Sequence, residues 1–347
     1  MVIRFSPRAK YRWLRAPWRF PYDHISPLPL RCICRGRRRY NCLLATTGVT
    51  LSFPDSPQHS LQPDPARVRA GFSRKAARHD RDPFVQNEVR ARLLERLDLV
   101  LLQPAVVLDL GCGPGRGAAD LARRYRRAQV LALDHALPML DRVRRHRPWW
   151  RSIQAVAGDA MAMPLADASV DLVFSSLMLQ WCDVDRVFRE CRRVLRPGGL
   201  LMFTTLGPDT LRELKFAWAR VDSHAHVNPF LDMHDIGDAL VRARLADPVM
   251  DVETLTVTYD APDVMLRDVR DAGAGNLNPD RAPGLAGRAR RESLITALQQ
   301  QRRDARLSLS MEVVYGHAWA PEKPMSHDVA PGEAHFPVSG LARRSRR

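Results

Sequence analysis

The stretch that most constrains this chain is Val106-Val107-Leu108-Asp109-Leu110-Gly111-Cys112-Gly113-Pro114-Gly115-Arg116-Gly117. Its short run of β-branched and aliphatic residues reads as a buried parallel strand. The strand meets an acid, Asp109, and runs into a turn with glycine at every second position. Ala118-Ala119-Asp120-Leu121-Ala122-Arg123-Arg124 then reads as a helix. Strand, glycine turn and helix are how an α/β sheet opens a nucleotide pocket at the carboxyl end of its first strand. Glycine lets the backbone turn tightly and lets a ligand lie against it with no Cβ in the way.

The alternation continues. Ala128 to Asp134 (AQVLALD) is a second strand ending in an acid, and Asp134 lies 23 residues after Gly111. That is the spacing at which a nucleotide site places the carboxylate that accepts the ribose hydroxyls; His135 follows it directly. Ile153 to Ala157 is a third strand. It runs into Gly158-Asp159-Ala160-Met161, where Asp159 can accept from an exocyclic amine and Ala160 and Met161 can flank a purine. Val170 to Ser176 is the fourth strand, and its end, at Ser175, faces the same crevice. A helix from Val184 to Leu195, Arg196-Pro197-Gly198-Gly199 and a fifth strand, Leu200 to Leu206, complete the pattern. Five βα units in series predict a doubly wound, mostly parallel α/β sheet.

The turn is not a phosphate cradle. Counted from Gly111, the third glycine of a dinucleotide fingerprint falls on Arg116, and no G-x-x-x-x-G-K-[ST] occurs. The acid before the turn suits a positively charged ligand instead. S-adenosylmethionine (SAM), with its amino group and sulfonium, is such a ligand. The candidate cofactor residues are Asp109, Gly111, Gly113, Gly115, Asp134, His135, Asp159, Ala160 and Ser175.

Around this core lie elements that belong to no βα unit. Before it, residues 68–77 and 84–97 have helical spacing; Val85, Val89, Leu93 and Leu97 recur every four residues, and the second helix is expected to lie over the pocket, with His79, Asp80 and Gln86 at its entrance. After Gly207 come a predicted helix over 208–221, a turn at His224 to Phe230, a helix over 233–244, an alternating strand over 252–259, a helix over 263–272, a Gly/Asn/Pro loop, a helix over 291–303 and a last strand over 308–315.

The net charge of +16 invites a nucleic-acid reading, but its distribution points elsewhere. Residues 1–54 hold ten Arg and one Lys against a single acid, Asp23, and Leu341 to Arg347 add four Arg, which leaves the middle nearly neutral. Residues 1–66 are rich in Arg and Pro without periodicity. They read as a disordered basic tail, as sequence upstream of the true start, or as an organelle transit peptide. Residues 67–320 form the expected domain and 321–347 a disordered basic tail. The spacing of Cys32, Cys34, Cys42, Cys112, Cys182 and Cys191 fits neither a zinc site nor a disulfide framework. No apolar run is long enough to span a bilayer.

VLDLGCGPG, LALD, GDAMAMPL, DLVFS and RVLRPGG together resemble the class I SAM-dependent methyltransferases. That resemblance implies a seven-stranded sheet whose last strand is antiparallel. LMLQWC, FTTLGPDTLREL, HVNPFLDMHDIGDALV, SMEVVYGHAW and the FSRKAARHD…VQNEVRARLLERL start resemble more narrowly the malonyl-[acyl-carrier protein] O-methyltransferases of biotin synthesis. This implies SAM as cofactor, malonyl-[acyl-carrier protein] as methyl acceptor, a cytoplasmic location and a monomer without nucleic-acid or membrane partners. The chain departs from the family's usual Tyr-Asp at His79-Asp80, and from H-x-N-R-F at Pro229. The same scaffold also resembles a complex I assembly factor related to an arginine hydroxylase, or could serve as a non-catalytic SAM-binding module. A carboxylate acceptor is already ionised at neutral pH, so no catalytic base is assigned, and no metal ligands are assigned. Gln86, His79, Arg212 and His226 are the substrate-side candidates by position.

Overall fold

Val106–Leu110 (β1) is buried along almost its whole length because helices cover both faces of the sheet to which it is central. The computed structural model describes residues 2–3, 64–79, 84–150, 152–271, 276 and 287–322, apart from the side chains of Val2, Ile3, Lys75, Ala77, Arg78 and His79. The described residues fall in one compact unit. The expectations about Asp80, about Cys32, Cys34 and Cys42, and about the tail beyond Glu322 lie outside the described residues.

The strands after β1 are Gln129–Asp134 (β2), Ile153–Ala157 (β3), Val170–Ser176 (β4), Leu195–Leu206 (β5), Ala246–Tyr259 (β6) and Leu307–Trp319 (β7). Their order is β6-β7-β5-β4-β1-β2-β3, with β1 to β5 parallel and β7 antiparallel to both β5 and β6. A two-residue strand, Val2–Ile3, adds an eighth at the edge, parallel to β6. Chain order reverses direction across the sheet between β2 and β4, on either side of β1. Open α/β sheets place their ligand crevice at that point, beyond the carboxyl ends of the strands.

The helices are Pro65–His79 (α1), Phe84–Arg96 (α2), Arg116–Arg124 (α3), Leu137–His146 (α4), Val184–Val194 (α5), Arg212–Ala219 (α6), Met233–Arg242 (α7), Pro262–Asp271 (α8) and Arg288–Gln299 (α9). Strand alternation divides the core between the two sheet faces. Leu108, Leu110, Leu131 and Leu133 pack with Val187 and Phe188 of α5 and with Ile236 and Leu240 of α7. Val107, Val130, Ala132, Leu172 and Phe174 pack with Val89 and Leu93 of α2, Leu121 of α3 and Val143 of α4.

Three local expectations are corrected. The helix expected from Pro208 begins only at Arg212, because β7 captures the preceding turn. The Asp209 amide donates to Glu312 Oε2 at 2.6 Å, and the Thr210 hydroxyl donates to the Glu312 carbonyl at 3.0 Å. The last two strands run longer than their alternation suggested, since they pair with each other from Ala246↔Trp319 to Tyr259↔Leu307. And α2, expected over the pocket, lies on the sheet face; α1 is the helix beside the crevice, packing against α4.

Candidate active site

All three glycines of the turn after β1 are left-handed, with φ of 72° at Gly111, 52° at Gly113 and 89° at Gly115. They lack side chains for different reasons. A Cβ on Gly111 would stand 2.2 Å from Met178 Cγ, and one on Gly115 would stand 2.9 Å from Val143 Cγ2 of α4. A Cβ on Gly113 would meet nothing within 4 Å. Gly111 and Gly115 are therefore packed against protein, and Gly113 is the glycine that faces open space. The amides of Gly111 and Cys112 both donate to the Leu133 carbonyl, at 2.9 and 3.0 Å, which fastens the turn to the end of β2.

Asp134 completes that fastening. Its Oδ2 accepts the Gly113 amide at 2.9 Å and its Oδ1 accepts the Ala136 amide at 2.8 Å. Each carboxylate oxygen has a second lone pair, so capacity for ligand hydroxyls remains. Next to it, His135 Nε2 is buried without a hydrogen-bond partner among the described residues. Its ring meets Phe72 of α1 edge-on at 6.5 Å, and Phe72 in turn meets Trp181, after β4, at 5.5 Å. Phe72 thus bridges the ends of β2 and β4. It escaped the sequence reading because a lone phenylalanine on an amphipathic helix carries no chemical signature.

At the end of β3, the Gly158 amide donates to the Asp134 carbonyl at 3.2 Å. Asp159 is exposed and makes a tight turn, with Oδ1 accepting the Met161 amide at 2.9 Å; Ala160 is buried. The segment beyond is clamped from α5. Arg193 donates through Nη2 to the Met163 carbonyl at 3.0 Å and through Nη1 to the Leu165 carbonyl at 2.8 Å and Asp167 Oδ1 at 2.6 Å. Glu190 accepts from Arg193 Nε at 2.8 Å and from the Met163 amide at 2.7 Å. Arg193 thereby holds the loop next to Asp159.

Two expected cofactor residues lie deeper than the crevice surface. Asp109 shares a strand face with Val107, so its side chain enters the layer between the sheet and α3. It is 3% exposed, and a Cβ on Gly117 would lie 2.8 Å from its Oδ2, which has no hydrogen-bond partner among the described residues. Burial pushes its pKa up to about 7, against the opposing hydrogen bond from the Ala118 amide. Ser175 is fully buried, and its hydroxyl donates to the Leu110 carbonyl at 2.9 Å, joining β4 to β1. That commitment turns its side chain toward the strand pair and away from the crevice.

The substrate-side candidates are spread out. Gln86 is half-buried in the first turn of α2, and His79 closes α1. Arg212 is exposed at the start of α6, with Asp209 at 3.7 Å and Glu213 at 3.4 Å. His226 is held on two sides: its ring stacks on Trp218 at 3.6 Å and 7°, and its Nε2 lies 2.7 Å from Asp222 Oδ1. Arg290 of α9 stands 3.2 Å from the other Asp222 oxygen. Of the four, only His226 is among the described residues lining a cavity of about 460 Å³, formed by residues of α6 and the 222–229 segment that include Lys215, Trp218, Asp222, Asn228 and Pro229. No metal-binding cluster of His, Cys, Asp and Glu occurs among the described residues, and no helix among them is long and apolar enough to cross a membrane.

The crest of the sheet fits SAM on its own terms. Gly113 leaves a face that a Cβ would fill, Asp134 holds lone pairs toward it, and the buried His135 Nε2 has no partner. Fold and crest together define a class I SAM-dependent methyltransferase. The model of the methyltransferase domain family matches residues 108–203, the part that builds this crest. Malonyl-[acyl-carrier protein] O-methyltransferases of Methylovorus sp. (strain MP688), Gallionella capsiferriformans (strain ES-2) and Laribacter hongkongensis (strain HLHK9) are 47%, 45% and 49% identical to this chain over 266, 274 and 267 residues. The matches cover 75%, 77% and 74% of this chain and 90%, 94% and 90% of theirs. The chain belongs to the malonyl-[acyl-carrier protein] O-methyltransferase family.

Proposed function

We propose that this enzyme methylates the free carboxylate of malonyl-[acyl-carrier protein], the step that begins biotin synthesis, as a monomer in the cytoplasm. The observation that carries this reading is the reach of the likeness. The general methyltransferase match stops at residue 203, whereas the three relatives are similar over about three quarters of the chain, more than the cofactor half alone can supply. The acceptor cavity lies in the part that the general match leaves out.

SAM supplies an electrophilic methyl group on a sulfonium. In this reading Asp134 takes the ribose hydroxyls, Asp159 the adenine amine, Gly113 the backbone approach, and His135 with Phe72 closes the side of the crevice. The acceptor carboxylate has a pKa of about 4 and attacks without deprotonation. The protein's contribution is alignment of oxygen and methyl carbon and exclusion of water. The test is incubation of the purified enzyme with SAM and malonyl-[acyl-carrier protein], followed by intact-protein mass spectrometry. A mass increase of one methylene is expected; a carrier that stays unmodified while SAM binds overturns the reading. Complementation of a biotin auxotroph lacking its own methyltransferase is the cellular counterpart.

A further inference from the structure

The proposed reaction leaves one requirement unassigned, a cation for the acceptor carboxylate. We infer that Lys215 of α6 is that group: it holds one oxygen of the acyl carboxylate and leaves the other free to attack. The inference rests on the malonyl reading above.

Lys215 is the sole Lys or Arg among the described residues lining the cavity. The neighbouring basic side chains are committed elsewhere. Arg290 stands against Asp222, and His226 is held between Asp222 and the Trp218 ring. Arg212 points to Asp209 and Glu213. Lys215 is half-buried with its Nζ over the Phe230 ring at 5.7 Å, and it donates to the Pro208 carbonyl at 2.6 Å. An ammonium has three donors, so further capacity remains. Burial lowers its pKa, partly offset by Asp209 and Glu312, and an incoming carboxylate would relieve that cost.

Its position is continuous with the cofactor crest. Met178 abuts Gly111 of the glycine turn. The loop that carries Met178 is tied to β5, where the Leu177 amide donates to Thr204 Oγ1 and the Thr205 hydroxyl to Gln180 Oε1. Pro208, which accepts from Lys215, lies just past the end of β5. From β1 through β4 to β5 is two strand spacings, roughly 10 Å. A short acyl group emerging over the turn reaches that far.

The reacting charges also favour a single lysine. The new oxygen–carbon bond forms as the sulfur–carbon bond breaks, and the anionic carboxylate and the sulfonium both become neutral. A bidentate arginine would occupy both carboxylate oxygens, whereas an ammonium contacts one.

The test compares wild type with Lys215→Met and Lys215→Arg on malonyl-[acyl-carrier protein], with SAM affinity measured alongside. Lys215→Met is expected to raise KM about 10–100-fold while SAM binding and thermal midpoint stay near wild type, and Lys215→Arg is expected to restore most of the KM. A merely structural lysine would shift SAM affinity or the midpoint in step with activity. Unchanged KM and kcat in Lys215→Met, with wild type active, overturns the role of Lys215 alone. Wild type that binds SAM but methylates no malonyl carrier overturns both readings.

Discussion

At the scale of single residues, the three glycines of one turn carry separable duties, and substitution separates them. Gly115→Ala places a Cβ against Val143 Cα and Cγ2 at 3.0 and 2.9 Å in a left-handed backbone. We expect it to lose about 2–4 kcal/mol of stability by denaturant unfolding. Gly113→Ala has only the left-handed backbone to oppose it, about 1 kcal/mol. Its main effect is expected to be a fall in SAM affinity of about ten-fold or more by calorimetry. Equal stability losses in the two variants would contradict the assignment of Gly113 to the ligand face.

Asp109 gives a second residue-scale prediction. Its carboxyl titrates near 7 in the fold against about 4 in the unfolded chain. Between those values the folded state binds more protons, so this group makes stability fall as pH rises from 4 to 7, with the full cost present above 7. Asp109→Asn removes the charge and keeps an acceptor for the Ala118 amide. The stability of the variant without ligand relative to wild type is expected to grow by about 2–4 kcal/mol from pH 5 to pH 8. Urea unfolding at both pH values checks this; a pH-independent difference would show that the buried carboxylate carries no such penalty.

At the scale of elements, the crest depends on clamps between segments far apart in sequence. Arg193 uses all three of its nitrogens on Glu190, Asp167 and two carbonyls of the 163–165 segment. Removing it frees the loop beside Asp159 and leaves the Met163 and Leu165 carbonyls without their donor. Arg193→Met is expected to cost about 1–3 kcal/mol, to raise amide exchange across 159–168, and to weaken SAM binding. Arg193→Lys is not expected to rescue it, since one ammonium cannot span that fork. Protected amides in the Met variant would refute the clamp.

The elements also show what could be read in advance. The strands β1 to β4 and the helices between them follow from hydrophobic period and glycine placement, because each is a local pattern with a short connection. The helix at 208–221 was over-read because its first residues have helical composition, yet a carboxylate on β7, about a hundred positions later, claims the Asp209 amide. Phe72, Met178 and Lys215 gave no signal in the chain. Their roles come from neighbours that only folding supplies.

At the scale of the whole molecule, the glycine-turn crest and the cavity beside α6 are built from different parts of the chain. Among the described residues the site uses none N-terminal to α1, and the edge strand Val2–Ile3 pairs with Thr256 and Val257 of β6. A chain beginning at Asp64 is therefore expected to bind SAM within about two-fold of the full chain, a difference under about 0.5 kcal/mol, and to methylate the same acceptor. Loss of SAM binding on that truncation would place part of the site in the leader.

The sequence by itself determined the sheet, the crevice at its crest and the kind of ligand it takes. Period, glycines and strand-end acids are local properties that survive without knowledge of contacts. Tertiary structure decided which glycine faces open space, that Asp109 lies under the turn and that Ser175 is spent on a strand carbonyl. It also brought Lys215, half-buried, to the cavity beside Pro229. Those outcomes depend on which distant group occupies the space around a side chain, and burial of charge and competition for hydrogen bonds are settled only when the chain has closed.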